Sequence, residues 1–363
     1  MFFNELQSLR GLAALTVFIV HCFDKINFSN SYLNTIHKYL QTGAFSSYIL
    51  FFVLSAFVLT MSVSKAKVGS DVAKFIIKRF VRLVIPITAI IIITTIVYNL
   101  VSEMLNISFA IQQFDIFYNF GINNLLLNFF SFRNDLNLPT WTLKYELIFS
   151  ILLPLSFVIV FLKTNHLNKL KYIIYILIIY YLFIEFDKFY LAFIVGISVY
   201  LIHYFLYKHL VINIKRSFLV FFINISVIFS LYLMLYLPHQ IDDIGSEKLL
   251  LSAIGSGLLI LCLIHKKTLV NYILNINAFQ YLGKISFSLY LVHYPVLHFI
   301  STLMFYYYGL GNELTYIQTI QNNQQFYVFI LITIPVVLIC SHIFYKVVES
   351  KYTYKNLAIY LYK

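Results

Sequence analysis

The sequence predicts an all-α fold: a polytopic transmembrane helical bundle of about ten spans, with both termini in the cytoplasm. Three observations carry this expectation. The 363 residues are 61% hydrophobic and only 11% charged, with a mean hydropathy of +0.85, whereas soluble domains run near 25% charged. The apolar residues come in stretches of about twenty, the length needed to cross the hydrocarbon core of a bilayer. The charges that remain alternate from loop to loop, strongly basic loops following weakly charged or acidic ones.

The spans fall near 6–26, 44–63, 80–101, 141–162, 171–186, 189–207, 217–237, 249–265, 285–306 and 326–347. The first carries no small-residue cleavage site and reads as a retained signal anchor. The second loop, with Lys65, Lys67, Lys74, Lys78, Arg79 and Arg82 against Asp71, carries +5. The fourth (Lys163, Lys169, Lys171), the sixth (Lys208, Lys215, Arg216) and the eighth (Lys266, Lys267, Lys284) each carry +3. The odd-numbered loops stay between +1 and −2. Lys and Arg concentrate on cytoplasmic loops, so this alternation sets the orientation and supports the span count. It also turns the net charge of +12 away from nucleic acid and toward a bilayer. Residues 1–348 form one expected transmembrane domain, and 349–363 a short cytoplasmic tail. Cys22, Cys262 and Cys340 have neither disulfide nor metal spacing, and no metal site is expected.

Polar side chains inside apolar spans are costly, so each one is a question about function. Arg10 and His21 are eleven residues apart, about three helical turns, and so share a face of the first span about 16 Å apart along its axis. Arg10 fits an anion ligand, and equally a residue snorkelling to the cytoplasmic surface. His21 fits a general base, since imidazole titrates near neutral pH, and equally a packed core histidine. Arg79 and Arg82, three apart at the start of the third span, share a face and suit a phosphate. They also suit plain topology signals. Trp141, the sole tryptophan, opens the fourth span and fits an interfacial anchor. Glu146 lies deeper, and an intramembrane carboxylate needs a partner; His21 or an arginine is expected. His293 sits about 13 Å into the ninth span, flanked by Ser286, Tyr290 and Pro295. The expected layout places Arg10, Arg79 and Arg82 at a cytoplasmic mouth, with His21, Glu146 and His293 converging above.

The chain resembles the acyltransferase family 3 membrane proteins. Five segments carry the resemblance: Leu9–His21 (LRGLAALTVFIVH), Phe51–Phe57 (FFVLSAF), Arg79–Pro86 (RFVRLVIP), Pro139–Phe149 (PTWTLKYELIF) and Gly283–Pro295 (GKISFSLYLVHYP). Ala56 stands where the family usually has glycine, and Thr142 and Lys144 replace small residues. Glu349 matches the family's terminal acidic position.

The resemblance implies transfer of an acetyl group from cytosolic acetyl-CoA to a hydroxyl of a cell-surface sugar or glycan precursor in the bacterial inner membrane. Acetyl-CoA would be a substrate; no permanently bound cofactor is expected. His21 would be the catalytic base, and Glu146, with Trp141, would belong to the acceptor side; separately from the resemblance, Glu146 could orient the His21 ring as the third member of a triad does. Arg10, Arg79 and Arg82 would hold the donor phosphates. Trp141, His293, Tyr290 and Ser286 would line the acceptor side. Many relatives carry a further extracytoplasmic domain; this chain is expected to act without it, or with a separate extracytoplasmic partner. A polytopic transporter or flippase of lipid-linked sugars is the alternative for the same buried polar residues.

Overall fold

A computed structural model describes residues 3–25, 31–64, 70–105, 122–161, 188–209, 216–241, 245–264, 269–307 and 323–352. Among them the chain is helical: α1 (Asn4–Phe23), α2 (Ser31–Val63), α3 (Ser70–Leu105), α4 (Ile122–Phe129), α5 (Trp141–Phe161), α6 (Tyr190–His209), α7 (Arg216–Leu231), α8 (Ser246–Ile264), α9 (Leu269–Leu274), α10 (Asn277–Lys284), α11 (Ser286–Tyr307) and α12 (Asn323–Val347). Nine of the ten expected spans fall on these helices; the stretch 171–186 lies outside the described residues. Among the described residues, seven helices are long and apolar enough to cross a membrane: α1, α2, α3, the helix through Phe221–His239, α8, α11 and α12. Helices satisfy every backbone group internally, which is the requirement apolar surroundings impose.

The chain divides into two compact units. The first comprises Met1–Ala13, Gln41–Arg79 and Tyr145–Lys284. In it α8 packs on α6 and α7. Small residues allow the close approach: a Cβ on Gly257 would meet Val199 at 2.9 Å, and one on Gly255 would meet Met234 at 2.7 Å. α7 runs into a π-helical turn, Tyr232–Tyr236, and closes at Leu237–His239. Pro238 has no N–H to offer the carbonyl of Met234 one turn earlier. The Ser46 hydroxyl of α2 donates to that carbonyl instead. Phe193 stacks between Phe52 and Phe149, with ring centroids at 4.9 and 4.2 Å. Ala56 faces Gly196, and the two helices approach closely because Gly196 carries no side chain: its added Cβ would lie 2.5 Å from that of Ala56.

The second unit comprises Ala14–Leu40, Phe80–Lys144 and Ile285–Lys363. Its centre is α11, packed along α12. Pro295 interrupts the ladder of α11 and leaves the carbonyl of Leu291 without its N–H. The buried Asn137 amide donates to that carbonyl at 2.9 Å. The Tyr98 hydroxyl donates to the carbonyl of Pro295 itself at 2.6 Å. α4 ends in a Schellman turn: the Phe132 N–H donates to Leu127 O and the Ser131 N–H to Asn128 O, with Ser131 at φ 59°. Glu349 is buried, and its carboxylate accepts from the N–H and hydroxyl of Ser288 in the first turn of α11. Negative charge is favoured at that end of a helix.

Candidate active site

In the first unit, Arg10 is placed by the residue beside it. A Cβ on Gly11 would lie 2.7 Å from the carbonyl carbon of Leu282, and one on Gly283 would lie 2.8 Å from the amide nitrogen of Ser8. The two glycines, both within segments that carry the resemblance, hold α1 and α10 backbone to backbone. The buried Glu5 carboxylate accepts from the Asn275 amide at 3.1 Å and ties the first turn of α1 to the residue that follows α9.

Arg79 of α3 faces Glu146 of α5, with 3.8 Å between Nη2 and Oε1. The Ser55 hydroxyl of α2, within the FFVLSAF segment, donates to the same oxygen at 2.9 Å. Of the two partners open to Glu146 in the sequence, the structure shows the arginine. Arg82 lies three residues further along α3, in the second unit.

The second unit holds the histidines. His21, in the last turn of α1, places Nδ1 3.3 Å from Asp24 Oδ2. His37 of α2 places Nε2 2.8 Å from Asp24 Oδ1. One carboxylate therefore spans two imidazoles. Burial alone would raise the Asp24 carboxyl; hydrogen bonds from His21 and His37 outweigh it and hold it below the usual carboxylate range. An ionised carboxylate only accepts, so the facing nitrogen of each ring carries its hydrogen, and neutral His21 keeps its lone pair on Nε2. The carboxylate on His21 is thus Asp24, whereas Glu146 is engaged by Arg79 and Ser55.

His293 is fully buried on α11. Its ring stacks on that of His21, centroids 5.5 Å apart and 17° from parallel. Tyr294 meets the His21 ring edge-on at 5.6 Å. His293 Nδ1 donates to the Leu289 carbonyl at 3.0 Å, which leaves Nε2 as an acceptor. That atom has no hydrogen-bond partner among the described residues. Lys25 is buried beside this group, 5.8 Å from the centre of the Tyr294 ring. Burial pulls its ammonium down to about 8, against the opposing pull of Asp24 and Cys22.

The remaining sequence candidates lie in the same unit. Trp141 opens α5 directly after the turn Leu138–Thr140. The Tyr290 hydroxyl donates to the Pro139 carbonyl at 2.7 Å and accepts from Thr142 at 2.7 Å, so it holds that turn in place. Ser286 is buried in the first turn of α11, while its neighbour Ser288 makes the bond to Glu349. Among the described residues no group of three or more His, Cys, Asp and Glu is arranged to hold a metal ion.

Asp24, His37, Ser55 and Asn137 make their contacts without standing out among the sequence candidates. Asp24 did carry a signal, since three residues separate it from His21, the spacing of neighbours on one helix face. His37, Ser55 and Asn137 meet their partners only through tertiary folding.

A family model described as an acyltransferase domain matches residues 3–345. Comparisons with curated proteins and with solved structures return no match. Five matching segments, buried polar residues in apolar helices and a family match over nearly the whole chain converge: the chain belongs to acyltransferase family 3 and is a multi-pass membrane acyltransferase.

Proposed function

We propose that this chain moves an acetyl group from acetyl-CoA to a hydroxyl of a cell-surface sugar or glycan precursor, such as one of O-antigen or capsule, in the bacterial inner membrane. The observation that supports the reading is His21. Its Nδ1 is held by a carboxylate and its Nε2 is left to take a proton. In the proposed step the sugar oxygen bonds to the acetyl carbonyl carbon and the carbon–sulfur bond breaks. The hydroxyl proton goes to His21 Nε2 and then to the departing thiolate, so that ester and free coenzyme A result. A positioned base of this kind contributes about 10²–10⁴-fold. His293 Nε2, buried without a partner among the described residues, suits a donor group on a bound substrate. Trp141, Tyr290 and Ser286 would shape the acceptor side.

Coenzyme A is multiply anionic, and guanidinium groups bind phosphate in forked geometry. Arg10, Arg79 and Arg82 are the groups proposed to hold it. Glu146 and Ser55 would set the position of Arg79, and an arriving phosphate would compete with Glu146 for it.

The test compares surface glycans from cells with and without this chain by mass spectrometry. Acetyl esters on sugar hydroxyls are expected only when the chain is present; identical ester content would reject the reading. Purified protein in detergent should transfer label from [14C]acetyl-CoA with no ion gradient, which a transporter would not do.

A further inference from the structure

We propose that Asp24 is a positioning residue for His21, and that His37 is the second anchor that fixes Asp24. The proposal rests on the reading of His21 as the base. An imidazole in the last turn of a helix has freedom about two side-chain torsions and two neutral tautomers. Only one tautomer, hydrogen on Nδ1 and lone pair on Nε2, matches a base that uses Nε2. Asp24 Oδ2 at 3.3 Å from Nδ1 selects it. The same carboxylate stabilises the imidazolium that forms when Nε2 takes the proton, the role an aspartate plays behind the histidine of a hydrolytic triad.

Asp24 follows the end of α1 and is 37% exposed, so on its own it would be mobile. His37 supplies the restraint. Its Nε2 lies 2.8 Å from Oδ1, the oxygen His21 does not use. One carboxylate, bridged by two rings from two helices, leaves His21 a single orientation. The stacked His293 and the edge of Tyr294 confine the ring from its other sides. Nothing in this arrangement requires Asp24 or His37 to touch substrate.

The test measures steady-state transfer from [14C]acetyl-CoA into the glycan fraction of inverted membrane vesicles. It adds 15N spectra of histidine-labelled protein, with the His21 signal identified by its loss in His21→Gln. Asp24→Asn is expected to lower kcat about 10²-fold while KM for acetyl-CoA stays within about twofold. The His21 signal should move away from the Nδ1–H tautomer. Asp24→Glu should recover part of kcat. His37→Gln, which keeps an N–H donor, should retain more kcat than His37→Ala. An Asp24→Asn protein with wild-type kcat and an unmoved His21 signal would overturn the proposal. Should Asp24→Asn fail to insert, equal kcat in His37→Ala and wild type would overturn it. His21→Ala separates the two failures: undiminished transfer there rejects the base, whereas a dead His21→Ala beside a fully active Asp24→Asn rejects only the positioning role.

Discussion

Asn137 donates its side-chain amide to the backbone carbonyl of Leu291, the carbonyl that Pro295 leaves bare one turn later. The loop before α5 is thereby fastened to the helix that carries His293. A buried carbonyl stripped of its donor costs about 1–3 kcal/mol. Asn137→Leu should lower the unfolding temperature of detergent-solubilised protein by that equivalent, and Asn137→Asp, which also lacks the N–H, should do the same. An unchanged transition in both would show that the bond contributes nothing.

Gly11 and Gly283 set the contact between α1 and α10. Alanine at either position puts a methyl group into backbone rather than into a flexible side chain. Each substitution should destabilise by about 1–3 kcal/mol. The pair should be less than additive, because one displacement relieves both clashes. Arg10 adjoins Gly11, so Gly11→Ala should also raise KM for acetyl-CoA. Stability that falls with KM unmoved would separate the packing role from donor binding.

Ser131 occupies left-handed backbone, φ 59°, at the end of α4. That conformation costs a side-chain-bearing residue about 1–2 kcal/mol, and glycine adopts it freely. Ser131→Gly should therefore raise thermal stability by about 1 kcal/mol, one of the few changes here expected to help. A loss would mean the serine side chain contributes more than its backbone strain removes.

Lys25 gives a pH signature. Burial lowers its ammonium to about 8, below the value near 10.4 of an unfolded lysine. Between those limits the unfolded chain binds the extra proton, so wild-type stability rises with pH across that window. The cost of the buried charge is constant below it. Lys25→Met removes the cost and should be more stable than wild type at pH 7, by an amount that shrinks as the pH climbs through 8 to about 10.4. Parallel stability curves for the two proteins would contradict the assignment.

Apolar stretch length and the alternation of loop charge make the helical class and the position of the membrane-length helices readable from the sequence, because both follow directly from the bilayer as a solvent; seven such helices stand among the described residues. The π turn at Tyr232–Tyr236 was not readable, since the hydropathy of its residues matches that of an ordinary helix. Arg10, His21 and His293 stood out because charge and imidazole are rare among apolar neighbours. Spacing along one helix identifies these residues but not the partners that other helices bring to them. In a topology count Asp24 contributes only its sign, and a sign does not assign a contact. Glu146 left a choice between histidine and arginine, and Arg79 makes the pair at 3.8 Å. Pairings of residues ninety or more positions apart, such as Ser55 with Glu146 and Asn137 with Leu291, follow from how helices dock.

The central claim is that the His21 imidazole takes the proton of the attacking hydroxyl. The most direct measurement is transfer of label from [14C]acetyl-CoA by His21→Ala protein that inserts in wild-type amount and melts at the wild-type temperature. Transfer should fall by at least about 10²-fold, with KM for acetyl-CoA little changed. Wild-type transfer by that variant would contradict the account.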